Sequence, residues 1–325
     1  MDALIEKAAK TYADNFPNKL WFGKCIFISW YCEKASCTFC YRSHGTHKSA
    51  EDARRSDASV LAEAFIAKHL GWRIEFLTGG CESLPFEDIL ALSKEVSNIY
   101  ERKIWLNLGI FDKAQLEKLK PYVEGICASI ECCTPSLHDI VCPDKPIKPY
   151  EDMLKSLDLK RSCCIIIGLG EKRDEAQYLF DFIEKSKLDR ITFYALKPVP
   201  GSPFTQSPSS EEYAWWIAST RIRFPKLEII AGLTPKKVDY ALWALKAGAN
   251  ALTKFPAIRK FGSDEAAKVE GYIKASGRAF DSSLTRLPDK DWSKELEKID
   301  ASADLRMNVH MYLKKMSQLS RNSEL

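Results

Sequence analysis

Eight short runs of β-branched and apolar residues recur along the chain, and stretches of helical periodicity separate them. This alternation restricts the fold more than any other feature. The runs begin at Cys25 (CIFISWY), Arg73 (RIEFLTGG), Lys103 (KIWLNLG), Gly125 (GICASIEC), Cys163 (CCIIIGLG), Ile191 (ITFYALKP), Leu227 (LEIIAGL) and Asn250 (NALTKFP). Amphipathic stretches such as residues 86–98, 174–187 and 211–223 are long enough to return the chain to a parallel neighbour. Strands covered on both faces read as continuous apolar runs, so eight β/α units in a row predict a closed parallel barrel, the α/β (β/α)8 TIM barrel. An open doubly wound sheet is the second reading. The 325 residues suit one barrel of about 250 residues with extensions. We expect a helical extension over 1–24, the barrel over 25–257 and a second helical extension over 258–325. One further helix is expected with Thr234 as N-cap, Pro235 in its first turn and Gly248 as its stop.

In such a barrel the residues that end the strands gather at the C-terminal mouth. Directly after the first run, SWYCEKASCTFCYRS places Cys32, Cys37 and Cys40 in a C-x4-C-x2-C spacing. All 11 cysteines lie between Cys25 and Cys164. The odd count, and an N-terminus without a basic and then apolar leader, point to a reducing cytoplasmic setting and away from a disulfide framework. Cysteine is often buried in apolar cores, and Cys25, Cys127, Cys133 and Cys163 are expected there. Two readings of the trio stand side by side. With His44 it makes a closed Cys3His zinc site. Alternatively, three thiolates hold an iron–sulfur cluster, and since closed clusters take four cysteines, one iron is left open. His44 and His47 are otherwise loop residues.

The chain resembles the radical S-adenosylmethionine (SAM) superfamily, in particular the full-barrel branch that includes biotin synthase and a maturase of [FeFe]-hydrogenase. The resemblance runs from about Trp21 to Ala257. It rests on the trio with Phe39 before Cys40, the glycine pair Gly79-Gly80 in LTGGCES, the polar strand end ASIEC with Ser129 and Glu131, IIIGLGE from Ile165 to Glu171, and ALKPVPGSPF after the sixth run. The spacing departs from the superfamily's commonest C-x3-C-x2-C by one residue. A narrower set, IFISWYC, the enlarged spacing, CPDKP from Cys142 and AGANALTKFPA from Ala247, resembles radical SAM proteins encoded beside the [Fe]-hydrogenase of methanogens, which are associated with its iron-guanylylpyridinol cofactor.

The resemblance implies a [4Fe-4S] cluster on Cys32, Cys37 and Cys40, with SAM beside it. Gly79 and Gly80 would line the methionine amino group, Ser129 and Glu131 would hold the ribose, Ile166 would lie against the adenine, and Lys145 would lie near the carboxylate. Tyr194, Lys197 and Lys254 are the substrate-side candidates. It also implies an enzyme that draws electrons from an external donor and abstracts hydrogen from a small-molecule substrate in cofactor biosynthesis. The positions that hold a sulfur-donating second cluster in biotin synthase align near Phe76, Trp105, Ser162 and Glu228, none of which repeats its ligands, so sulfur insertion is not expected; Cys163 stands one residue away. The non-enzymatic rival is a zinc-stabilised barrel acting in binding or assembly. The net charge of +4 is spread along the chain without a basic block, which argues against nucleic acid, and no run approaches the roughly 18 apolar residues of a membrane span.

Overall fold

The computed structural model describes residues 1–45 and 49–321; His47 lies outside the described residues. All eight runs are strands: β1 (Lys19–Phe27), β2 (Arg73–Thr78), β3 (Ile104–Asn107), β4 (Val123–Glu131), β5 (Lys160–Ile167), β6 (Arg190–Ala195), β7 (Glu228–Gly232) and β8 (Ala251–Thr253). Each pairs in parallel with the next, and β1 pairs with both β8 and β2, so the sheet closes into a barrel. A two-residue strand, β9 (Ala279–Phe280), lies parallel to the start of β1 outside the ring. β1 already begins at Lys19, within the stretch expected as an N-terminal extension.

The apolar runs are explained by burial on two sides. On β5, Cys163, Ile165 and Ile167 belong to the outer core under the helices, while Cys164 faces an inner cluster with Cys25, Phe76, Trp105 and Cys127. Helices Phe86–Tyr100 and Ser210–Arg223 follow the periodicity closely, the second with Ser209 accepting a hydrogen bond from the Glu212 N–H. The stretch 174–187 opens as a 3-10 turn, Arg173–Glu175, before the helix Ala176–Ser186. The helix expected from Thr234 is also divided. Pro235–Lys237 is a 3-10 turn, and the α-helix proper is Tyr240–Lys246, ending before Gly248 at φ +91°.

The N-terminal helix Asp2–Asn15 packs on Ser210–Arg223, and the last helix, Ala303–Arg321, packs on Asp57–His69. Among the described residues no helix is long and apolar enough to cross a membrane. Where the strands begin, the barrel is sealed. The Arg190 guanidinium lies 4.1 Å from the Trp105 ring centroid and donates to Glu228 Oε2 at 2.7 Å, while Trp21 Nε1 donates to Glu228 Oε1 at 3.1 Å. This plug leaves the opposite end, where the strands finish, as the open mouth.

Candidate active site at the barrel mouth

The cysteine loop leaves β1 and is pinned to two neighbouring loops. The Glu33 N–H donates to the Cys81 carbonyl after β2, and the Thr38 N–H donates to the Val141 carbonyl beyond β4. A tight turn brings the Cys40 N–H onto the Cys37 carbonyl at 3.0 Å. All three cysteines are half-buried. A hydrogen bond from the Cys81 thiol draws Cys32 down to about 5, and Cys142 acts likewise on Cys37, which is also lowered, whereas burial pushes Cys40 up.

His44 is exposed, and its Nε2 faces the Thr38 carbonyl at 2.7 Å. Among the described residues no three His, Cys, Asp or Glu side chains converge as they would on one metal ion. The trio is not gathered around one point either, so this does not separate the two readings; what sets His44 apart is that it is exposed and faces the Thr38 carbonyl. Three half-buried thiols on one loop remain, a donor set whose chemistry suits the several irons of a cluster.

Gly80 has a structural reason to be glycine. A Cβ there would stand 2.1 Å from the Tyr31 carbonyl oxygen and 2.4 Å from Cys32 Cβ, so the cysteine loop lies directly on its Cα. At Gly79 the obstacle is the Ser83 Oγ at 2.6 Å, a side-chain end that can turn away. Gly80→Ala is therefore expected to cost about 1–3 kcal/mol in a denaturant melt. It should also lower iron retention after reconstitution, with Gly79→Ala milder on both measures. Equal behaviour of the two variants would refute the loop-seating role.

β4 ends in a register shift that leaves Glu131 at φ +67°. Its carboxylate pairs with buried Lys145, Nζ to Oε1 3.1 Å. Ser129 donates to Asn107 Oδ1 at 2.8 Å on the neighbouring strand. Ile166 and Phe39 meet in an apolar group with Cys37, Cys142 and Leu196, next to the cysteine loop. The loop after β5 is closed by Glu171, whose carboxylate accepts the N–H groups of Gly168, Leu169 and Gly170 at 2.6, 2.9 and 3.1 Å. Burial raises the Glu171 carboxyl although those three bonds pull the other way.

The substrate-side candidates separate. Tyr194 is half-buried inside the barrel with Lys254 Nζ 4.3 Å from its ring centroid, whereas Lys197 is exposed on the loop after β6. Lys254 is exposed as well, and follows β8 at φ +63°. Below Tyr194 lies a carboxyl that the sequence reading missed. Glu75 is fully buried and accepts hydrogen bonds from Cys25 at 2.9 Å, Thr192 at 2.8 Å and Thr253. A lone Glu inside the apolar run RIEFLT is the signal that was available. Cys25 and Cys127 are buried in the core as expected, in the cluster that fills the barrel interior, where Cys127 and Cys164 bring their sulfurs to 3.4 Å. Cys163 lies in the outer core, away from the interior. Of the four second-cluster positions, Phe76 and Trp105 fill interior space, Glu228 is held by Arg190, and the Ser162 hydroxyl is buried without a hydrogen-bond partner among the described residues.

No family model matches the chain. It is 35% identical over 309 residues to an uncharacterized protein of Methanocaldococcus jannaschii, covering 92% of this chain and 85% of that one. It is 25% identical over 190 residues to biotin synthase of Methanococcus vannielii, and spans 57% of that enzyme's length. Among solved structures, methylornithine synthase superposes with a TM-score of 0.68 at 21% identity, over 78% of this chain and 77% of that one, a likeness of fold.

Proposed function

We propose that the chain, which belongs to one family with the Methanocaldococcus jannaschii protein and is similar to biotin synthase, is a radical SAM enzyme with its reaction centre at the barrel mouth. One observation carries the placement: three half-buried thiols on the loop that ends β1, seated against Gly80 and bordered by the Glu131–Lys145 pair. Cys32, Cys37 and Cys40 would hold a [4Fe-4S] cluster. When bound and reduced, the cluster would supply the one electron that cleaves the C5′–S bond of SAM, the chemistry by which hydrogen would be abstracted from a small substrate.

The chain's own groups bind and shield. Glu131 Oε1 is occupied by Lys145, which leaves Oε2 to accept from ribose hydroxyls, with Ser129 beside it. Lys145 offers positive charge to a carboxylate, and Ile166 with Phe39 offers an apolar face to the adenine. Gly79 and Gly80 present backbone where a side chain would obstruct. Trp21, Arg190 and Glu228 are tied together where the strands begin, an arrangement that would hinder water from entering below, as a radical reaction requires. Tyr194 borders the space for substrate, with Lys254 against its ring; Lys197 and Lys254 are both exposed, and the contact with Tyr194 is what favours Lys254.

We assign the reaction to cofactor biosynthesis, in the narrower sense of the [Fe]-hydrogenase cofactor, with another biotin-synthase-like cofactor reaction as the second reading. The support is the resemblance of the motif set IFISWYC, the enlarged cysteine spacing, CPDKP and AGANALTKFPA, the third of which carries Lys145. Sulfur insertion is disfavoured because Phe76 and Trp105 occupy the interior and the thiols there are engaged with Glu75 or with each other. Anaerobically reconstituted protein should be brown, bind about four irons per chain, and with dithionite convert SAM to 5′-deoxyadenosine and methionine. A colourless zinc protein would overturn the reading, and about two or more extra irons would overturn the single cluster.

A further inference from the structure

Two oxidisable side chains meet inside the barrel, and neither cluster binding nor SAM binding uses them. Cys25 Sγ on β1 lies 4.0 Å from the hydroxyl of Tyr194 on β6. The Tyr194 ring is fixed on both sides, since a Cβ on Gly232 would stand 2.1 Å from its Cδ1 and Lys254 Nζ covers it at 4.3 Å. The thiol is fixed as well, donating to Glu75 Oε2 at 2.9 Å with Thr253 Oγ1 at 3.3 Å. Glu75 is the extra residue where the β1–β2 register shifts, and it is buried completely. A carboxyl buried at such a desolvation cost, which accepts from this thiol as well as from Thr192 and Thr253, is more than packing requires.

We propose that Tyr194 and Cys25 are a hydrogen-atom donor pair that ends the reaction by quenching the substrate carbon radical; this rests on the radical SAM reading above. The phenol O–H bond breaks and a C–H bond forms on the product, leaving a tyrosyl radical. That radical takes the hydrogen atom from the Cys25 S–H, restoring the phenol and leaving a thiyl radical. One electron from the external low-potential donor and one proton from solvent, passed through Glu75, restore the thiol. SAM is then consumed, with one electron spent on its cleavage and one on the thiol in each turnover. Burial raises the Cys25 thiol and the Tyr194 phenol well above their ordinary values, so both keep the hydrogen the step needs.

The test uses SAM alone, its adenosyl radical standing in for the substrate radical. In deuterium oxide the thiol and phenol hydrogens exchange, while carbon-bound hydrogens do not. Reconstituted protein with SAM and dithionite, free of added thiols, should yield 5′-deoxyadenosine carrying one deuterium by mass spectrometry. Tyr194→Phe should lose the label. Cys25→Ser keeps the hydrogen bond to Glu75 but presents an O–H too strong to give up a hydrogen atom. It should label only in the first turnover and accumulate a tyrosyl radical, seen by electron paramagnetic resonance of freeze-quenched samples and absent from the wild type. Unlabelled 5′-deoxyadenosine from the wild type, or equal labelling in both variants, overturns the donor pair alone. A wild type that makes no 5′-deoxyadenosine overturns the radical SAM reading and this one with it.

Discussion

Cys40→Ala is expected to give a folded, colourless protein that retains no iron and does not cleave SAM. Cys40 is the trio's least replaceable member. Cys32 and Cys37 each have a second thiol at hand, Cys81 and Cys142, which hold them below the usual thiol value. Among the described residues no second thiol lowers Cys40 in this way, and burial raises it although the Arg42 N–H and guanidinium pull the other way, so bound metal would add to what favours its thiolate. Alanine removes one half-buried sulfur and leaves the turn from the Cys40 N–H to the Cys37 carbonyl intact, so the melting curve should move little. Cys81→Ala and Cys142→Ala are the controls and should keep about four irons per chain. Iron content, visible absorbance and 5′-deoxyadenosine yield report together. A brown, active Cys40→Ala protein would remove Cys40 from the ligand set, and iron loss in Cys81→Ala would bring Cys81 into it.

The barrel was legible because burial on both faces leaves no alternation for a strand to hide in, and all eight apolar runs became strands. The same property concealed the interior. When both faces of β4 and β5 are apolar, period-2 reasoning cannot say which cysteine turns inward, and Cys164 and Cys127 do so while Cys163 does not. Glu75 was hidden by the register shift in β2, which lets it and Phe76 both serve the interior although they are adjacent. Lys254 and Lys197 looked equivalent, each late on its strand. A backbone at φ +63° turns the first over Tyr194, and nothing in the residue type announces that conformation. Gly80 was picked out as part of a ligand-facing pair, but the atoms on its Cα belong to the cysteine loop itself, a contact between segments that local sequence does not encode.

Lys145→Met is expected to destabilise the protein by about 3–5 kcal/mol, because it strands the Glu131 carboxylate in a site from which most water is excluded. The side chains of Lys145 and Glu131 are only 6% and 13% exposed. Lys145 is placed by its surroundings: its N–H donates to the Cys142 carbonyl, its own carbonyl faces His138 Nε2 at 2.7 Å, and its ammonium lies 5.4 Å from the Tyr150 ring centroid. Burial works against the ammonium, but Glu131 and the neighbouring thiols outweigh it and raise Lys145 well above the ordinary lysine value. Since the folded value is the raised one, the pair's contribution is fully present below the ordinary lysine range and is lost only as pH climbs through the folded value. Melts near neutrality therefore measure the intact pair. The double variant Lys145→Met with Glu131→Gln should recover roughly 1–3 kcal/mol of the loss, since neither half is then left charged and unpaired. Glu131→Ala probes the other role, and should weaken SAM binding by about 1.5–3 kcal/mol while iron content holds. If Glu131→Ala binds SAM as tightly as the wild type, the carboxylate serves only to hold Lys145. Additive single and double variants would show that the two charges do not depend on one another.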